Sequence, residues 1–115
     1  MIIIKNSEQL ALMKEAGRIT AEALLVARDL VRPGISTKEI DTKMHAFILK
    51  CGATPSFLGY GGFPGSACIS INDEVIHGIP SERKILQEGD IMKIDVGARY
   101  RGYNGDRQEH FLSAR

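Results

Sequence analysis

Cysteine is scarce in this chain: Cys51 and Cys68 are the only two among 115 residues. Two thiols are too few for a disulfide framework or a four-ligand zinc site, so a reducing compartment, the cytoplasm, is the default. Neither sign of charge is in excess. Fifteen Lys and Arg against fourteen Asp and Glu leave a net charge of +1, which excludes nucleic-acid binding carried by bulk positive charge. Long apolar runs are also lacking. Met1-Ile2-Ile3-Ile4 is broken by Lys5 and Asn6, far short of a signal-peptide core or a membrane span. No internal repeat or low-complexity segment occurs. What remains is an ordinary globular composition, 43% hydrophobic and 25% charged, which excludes disorder. The length suits one domain and is too short for two.

The chain reads as two halves. Residues 1–52 carry helical periodicity. Ser7 is the candidate N-cap, and Leu10, Met13, Gly17, Thr20, Leu24, Ala27 and Val31 follow at spacings of three or four, one apolar-to-small face. Arg32-Pro33-Gly34 stops this helix, because proline lacks a donor and disfavours a helical residue before it. Ser36 with Glu39 forms a capping box for a second helix, whose buried face is Ile40, Met44, Phe47 and Ile48 and whose C′ residue is Gly52. His45 lies among polar helix positions and reads as a surface histidine. From residue 53 the period falls towards two. Cys68 to Ile71 alternates as a strand, Asn72-Asp73 is a turn signal, and Val75 to His77 reads as a second short strand. Ser81 to Gly89 reads as polar linker. In Ile91 to Ala98, the apolar Met92, Ile94, Val96 and Ala98 share one face.

Leu58 to Gly65 is rich in glycine, with Tyr60 and Phe63 spaced through it. A phosphate loop would feed a helix N-terminus, whereas a β-pattern follows here, and Gly-Lys-Ser/Thr is missing. The loop better suits a bend whose aromatics line an apolar pocket, or simply pack at the surface.

Asp95 carries the strongest chemical signal. A carboxylate between Ile94 and Val96 in mid-strand is costly unless paired or metal-bound. A two-residue turn at Tyr100-Arg101 would set Asp106 directly opposite it on the same face. Tyr-Arg is a poor turn of that kind, and a bulge at Gly102 would shift the register. Two facing carboxylates call for a cation between them, and hard oxygen donors suit Mn²⁺, Co²⁺, Fe²⁺, Mg²⁺ or Zn²⁺. Spacing alone leaves two solvated aspartates as the alternative. His77, before Gly78, is either an exposed imidazole placed to act on a ligand or a structural residue.

Together these residues resemble a family. Gly59 to Pro80, Gly89-Asp90-Ile91 with Ile94-Asp95-Val96-Gly97, and Gly102 to Asp106 are similar to the signature of type I methionine aminopeptidases. Met13 with Ala16-Gly17, Val31 with Pro33-Gly34, and Glu39 with Asp41 fit as well. The resemblance implies the α+β pita-bread (creatinase/aminopeptidase) fold, truncated to its N-terminal half: two helices plus antiparallel strands over residues 1–106. It implies a metallo-exopeptidase that removes the initiator methionine from nascent polypeptides in the cytoplasm, with methionyl peptides and the ribosome as partners and neither nucleic acid nor membrane. Asp95 and Asp106 would ligate two divalent metal ions (Co, Mn, Fe or Zn). His77 would be catalytic and contact substrate at the scissile bond. Tyr60, Phe63 and Cys68 would line the methionine pocket.

After Asp106 the resemblance fails, and residues 107–115 read as a divergent tail. Glu109 and His110 do not match the histidine and glutamates that family members carry in a second half. The short chain is therefore expected to be weak or inactive alone, and to self-associate through the sheet edge left exposed. Two other readings stay open: a non-catalytic pita-bread module that binds a peptide or partner, and a creatinase or prolidase relative. The Cys68 to Pro80 run favours the methionine enzyme.

Overall fold

A computed structural model describes residues 6–56, 65, 67–72 and 78–112. Helix α1 spans Ser7–Leu30. Its N-cap is Asn6, one residue before the expected Ser7. The Asn6 side chain accepts from the Gln9 backbone N–H at 2.8 Å, and the Asn6 N–H donates to Gln9 Oε1 at 3.0 Å. Asn caps as well as Ser, and Gln9 at N3 closes the reciprocal box. The buried stripe is Ala16, Ile19, Thr20, Ala23, Leu24 and Ala27. Leu10 and Met13, expected on that face, are 47% and 37% exposed. Small residues decide this: Ala16, Ala23 and Ala27 let the helix backbone approach the sheet, which rotates Leu10 and Met13 outward.

Helix α2 spans Thr37–Lys50, with Ser36 accepting from the Glu39 N–H at 3.1 Å. Ile40, Met44 and Ile48 are buried as the periodicity requires, and Phe47 packs against them part-buried. Gly52 ends the helix at φ 80°, with Ala53 N–H bonded to Ile48 O and Gly52 N–H to Leu49 O. This pairing satisfies two orphan carbonyls and needs a left-handed residue at C′.

The sheet contains β1 (Thr54–Pro55), β2 (Ala67–Ile71), β3 (Ile91–Tyr100) and β4 (Tyr103–Leu112), all antiparallel. β3 lies at the centre, with β4 along one side and β1 and β2 along the other. Two helices on an antiparallel sheet is the architecture the sequence implies. Met92, Ile94, Val96 and Ala98 of β3, with Ala67 and Ile69 of β2, are fully buried in one core with the helices. Each fully buried Ile, Val or Met side chain contributes about 1.5–3 kcal/mol.

Two expectations change. Ser81 to Gly89 is not a plain linker: Leu86 is buried, and its N–H and C=O bond to Ile35 O and Gly34 N at 2.8 and 2.7 Å. Ile85 also bridges to Ser36. The strand read at Val75 to His77 lies outside the described residues. β4 runs without a break past Asp106, and residues 107–112 pair with residues 91–96 of β3.

Thr20 ties α1 to the β3–β4 hairpin. Its hydroxyl accepts from the Ala98 N–H at 3.0 Å and donates to the Gly105 carbonyl. Ala98 and Gly105 are partners across the hairpin, so a side chain bridges two ladder groups. Gly105 permits this. A Cβ there would lie 2.6 Å from backbone atoms of Ala16 and Gly17.

Candidate metal centre

The hairpin turn is Arg101-Gly102, with Tyr100 paired to Tyr103. Both turn residues have positive φ, 49° and 88°, the type I′ geometry that follows strand twist. Glycine meets that demand at the second position, so the turn forms one residue later than Tyr100-Arg101. The register moves by two as a result. Asp95 pairs with Gln108, and Asp106 pairs with Gly97. The two aspartates are therefore not directly opposite, as the sequence reading had them. They are diagonal neighbours on one face, because a shift of two preserves side-chain parity. Diagonal residues lie about 7–8 Å apart at Cα and less at Cβ, within reach of a shared ion.

Gly97 makes the approach possible. A Cβ on Gly97 would collide with Asp106 Oδ1 and lie 2.9 Å from Ser56 Oγ. The Asp106 carboxylate thus occupies the space a side chain would take. Ser56, after β1, donates from its N–H to Gly97 O at 2.9 Å, and its hydroxyl bonds Asn104 Oδ1 at 3.2 Å.

Electrostatics fit the same picture. Burial first, and then the Asp106 charge, push the Asp95 carboxyl above the ordinary carboxylate range, against a downward pull from Lys93. Asp95 is half-buried and Asp106 is exposed beside it, and a cation would relieve the repulsion between the two like charges. Oxygen donors of this kind suit a divalent ion, so the residues present fit a metal. Among the described residues no cluster of three or more His, Cys, Asp or Glu side chains is placed to hold one.

Cys68 of β2 is the register partner of Asp95. It is half-buried, and burial, followed by the charges of Asp95 and Asp41, pushes its thiol up. It therefore stays neutral beside the carboxylates. Asp41, buried on α2, accepts from the Ala67 N–H at 2.9 Å and so fixes the start of the strand that carries Cys68. Tyr60, Phe63 and His77 lie outside the described residues. Gly78, next to His77 in sequence, accepts from the Ile69 N–H at 2.7 Å, one residue from Cys68. Ser56 and the role of Gly97 were not foreseen. The Gly at i+2 from Asp95 on the same face was the available signal.

Glu109 and His110 do not join the pair. Glu109 is on the helix side of β4, opposite Ile94, while His110 is opposite Lys93.

Comparison with known proteins gives a consistent picture. Residues 11–113 match the model of metallopeptidase family M24. The chain is 52% identical over 106 residues to methionine aminopeptidase 1 of Bacillus subtilis, covering 92% of this chain and 42% of that protein. It is 50% identical over 111 residues to a methionine aminopeptidase of Clostridium acetobutylicum, covering 96% and 44%. Among solved structures, methionine aminopeptidase from Rickettsia prowazekii superposes with a TM-score of 0.92 at 38% identity, over 100% of this chain and 46% of that one. Prolidase from Pyrococcus furiosus superposes at 0.82 with 26% identity, over 98% and 32%. The chain spans less than half the length of these relatives.

Proposed function

The chain belongs to metallopeptidase family M24, and from that premise we propose that it supplies two metal ligands and part of the substrate pocket of a methionine aminopeptidase. Its two helices and antiparallel sheet form part of the pita-bread fold of creatinase and aminopeptidase enzymes. The substrate is the N-terminal methionine of a new polypeptide, and the setting is the cytoplasm. The observation that carries this reading is the Asp106 carboxylate seated on Gly97, on the face that holds Asp95. A binding module has no need of two half-repelling carboxylates kept this close.

Asp95 and Asp106 would hold divalent metal ions, which when bound supply Lewis acidity toward the scissile carbonyl and a nucleophile at neutral pH. Gly97 leaves room for Asp106, and Ser56 braces the Gly97 carbonyl and Asn104. Cys68 offers a neutral, soft surface to a thioether side chain, and the family resemblance assigns Tyr60 and Phe63 to the same pocket. His77 donates a hydrogen bond to the substrate amide as charge develops on it.

The test is a chimera of residues 1–112 followed by the remaining length of the Bacillus subtilis relative. It should release methionine from Met-Ala-Ser with added Mn²⁺ or Co²⁺, and Asp95→Asn or Asp106→Asn should abolish that release. Cleavage of an x-Pro dipeptide in its place points to the prolidase class. Metal binding with hydrolysis of neither substrate points to a binding module. The 115-residue chain by itself is expected to turn over below about 1 s⁻¹, the low end of ordinary enzymes, because two carboxylates hold too few coordination positions.

A further inference from the structure

Among the described residues, Asp41 of α2 is the one charged side chain that is buried, at 3% exposure. A carboxylate is costly in such a place unless it is hydrogen-bonded. This one accepts from the Ala67 N–H at 2.9 Å, and the aspartate pair on the hairpin makes no use of it.

Alternation along β2 shows what the bond does. The Asn72 N–H, just past the strand, donates to Ile91 O at 2.8 Å on the β3 side, whereas the Ile69 N–H donates to Gly78 O at 2.7 Å on the other. Cys68 therefore exchanges its ladder bonds with its register partner Asp95. Ala67, like Ile69, turns its N–H away from β3. The outer side of β2 is thus held by the Gly78 backbone at Ile69 and by a side chain, Asp41, at Ala67. Cys68 lies between the two. Ala67 and Ile69 are fully buried on the helix side, so Cys68 points to the opposite face, the one that carries Asp95.

The segment after Gly78 returns to α2 and closes a ring. Gly78 packs on β2 because it has no side chain; a Cβ there would collide with the Ile69 carbonyl. Three residues on, the Ser81 N–H donates to Thr37 Oγ1 at 2.9 Å, and the Thr37 N–H donates to Lys84 O at 2.9 Å. Thr37 lies one turn before Asp41 on α2, and both are buried. The path from Thr37 through Ser81, Gly78, Ile69 and Ala67 ends on Asp41, one turn from where it began.

We propose that Asp41 is a positioning residue for the substrate: by holding Ala67 it fixes Cys68 at the depth where its sulfur meets a methionine side chain. Ala67 is the first residue of β2, so without its outer partner the strand frays there, and Cys68 is the next residue to move. A carboxylate suits the task because it only accepts and brings no donor of its own into the core. The metal pair is held by other means, the turn at Arg101-Gly102, the seat on Gly97 and the Thr20 bridge. Loss of Asp41 therefore falls on substrate binding and spares the metal. The substrate role rests on the methionine aminopeptidase reading, whereas the hold on β2 does not.

The test uses the chimera with the Bacillus subtilis relative, loaded with Mn²⁺. Asp41→Ala should raise KM for Met-Ala-Ser roughly tenfold or more, the scale of an apolar pocket contact, with kcat and metal content unchanged. Asp41→Asn keeps an acceptor oxygen and should raise KM less. In a Cys68→Ala background, Asp41→Ala should add no more than about twofold, because it acts through the sulfur. A fall in kcat or metal content with KM unchanged overturns the proposal, and so does a KM effect of full size in the Cys68→Ala background. Amide exchange by NMR in the 115-residue chain tests the hold on β2 directly. The Ala67 N–H should be protected in the wild type, and Asp41→Ala should speed its exchange roughly tenfold or more, the scale of losing a buried partner, with Ile19 and Ala23 as folding controls. Free exchange at Ala67 in the wild type overturns the proposal even where Asp41→Ala does not fold. A chimera that binds Mn²⁺ and hydrolyses no methionyl peptide overturns the aminopeptidase reading and the substrate role together, while exchange at Ala67 still decides whether Asp41 holds the strand.

Discussion

The Asp106 carboxylate rests on the α-carbon of Gly97, its register partner across the hairpin, in the space any other side chain would fill. One carboxylate thereby leans over the neighbouring strand, on the face that carries Asp95 two residues away. Glycine here serves no turn. It leaves open the space that the Asp106 carboxylate fills.

Gly97→Ala should therefore displace Asp106 while leaving β3 and β4 paired. The new methyl group meets Asp106 Oδ1 and, at 3.1 Å, Ser56 Cβ. The carboxylate is the softer of the two and moves first. Isothermal titration with Mn²⁺ should show affinity about tenfold lower or worse, the scale on which misplaced support costs a metal site, with an unchanged circular dichroism spectrum. Wild-type affinity in the folded variant would contradict the packing described.

Asp95→Asn should stabilise the metal-free chain at neutral pH. The folded state raises the Asp95 pKa through burial and the Asp106 charge, so folding favours the protonated form. A raised carboxylate contributes stability that is fully present below its unfolded pKa and is lost as pH rises through the folded one. At pH 7 the folded chain bears the full cost of the ionised group. Urea denaturation in EDTA should show the variant roughly 0.2–1 kcal/mol more stable at pH 7, the range of cross-strand charge pairs. The gain should shrink toward pH 4, and a loss at pH 7 would count against the assigned repulsion.

Thr20→Val should cost about 1–3 kcal/mol, because the Ala98 N–H and the Gly105 carbonyl lose the hydroxyl between them in a buried place. Thr20→Ser keeps the oxygen and should recover most of that. Thermal denaturation of the three chains ranks them, and a Val variant as stable as the wild type would show that direct ladder bonding replaces the bridge.

His77→Ala in the chimera should cut methionine release by roughly 10²–10³, the effect of removing one transition-state donor. Metal content by atomic absorption should stay at the wild-type value. Loss of metal together with activity would make His77 a ligand and refute its assignment to substrate.

Much of this molecule was determined by sequence alone, wherever a local rule fixed the answer. The stripe of Ile40, Met44 and Ile48, the stop at Pro33-Gly34, the end at Gly52 and the inward face of Met92 to Ala98 all follow from periodicity and from residues that only one backbone conformation accepts. Parity along a strand also placed Asp95 and Asp106 on one face. Tertiary structure decided what depends on distance through space. The turn fell at Arg101-Gly102 because glycine accepts positive φ there, and this moved the aspartates from opposite to diagonal. Packing against the sheet chose Ala16, Ile19 and Ala23 over Leu10 and Met13. Leu86 entered the core because its backbone pairs with Ile35, a partner more than fifty residues away in the chain that no local pattern reveals. The seat of Asp106 on Gly97 is of the same kind: each residue is ordinary in its own strand, and only the register joins them.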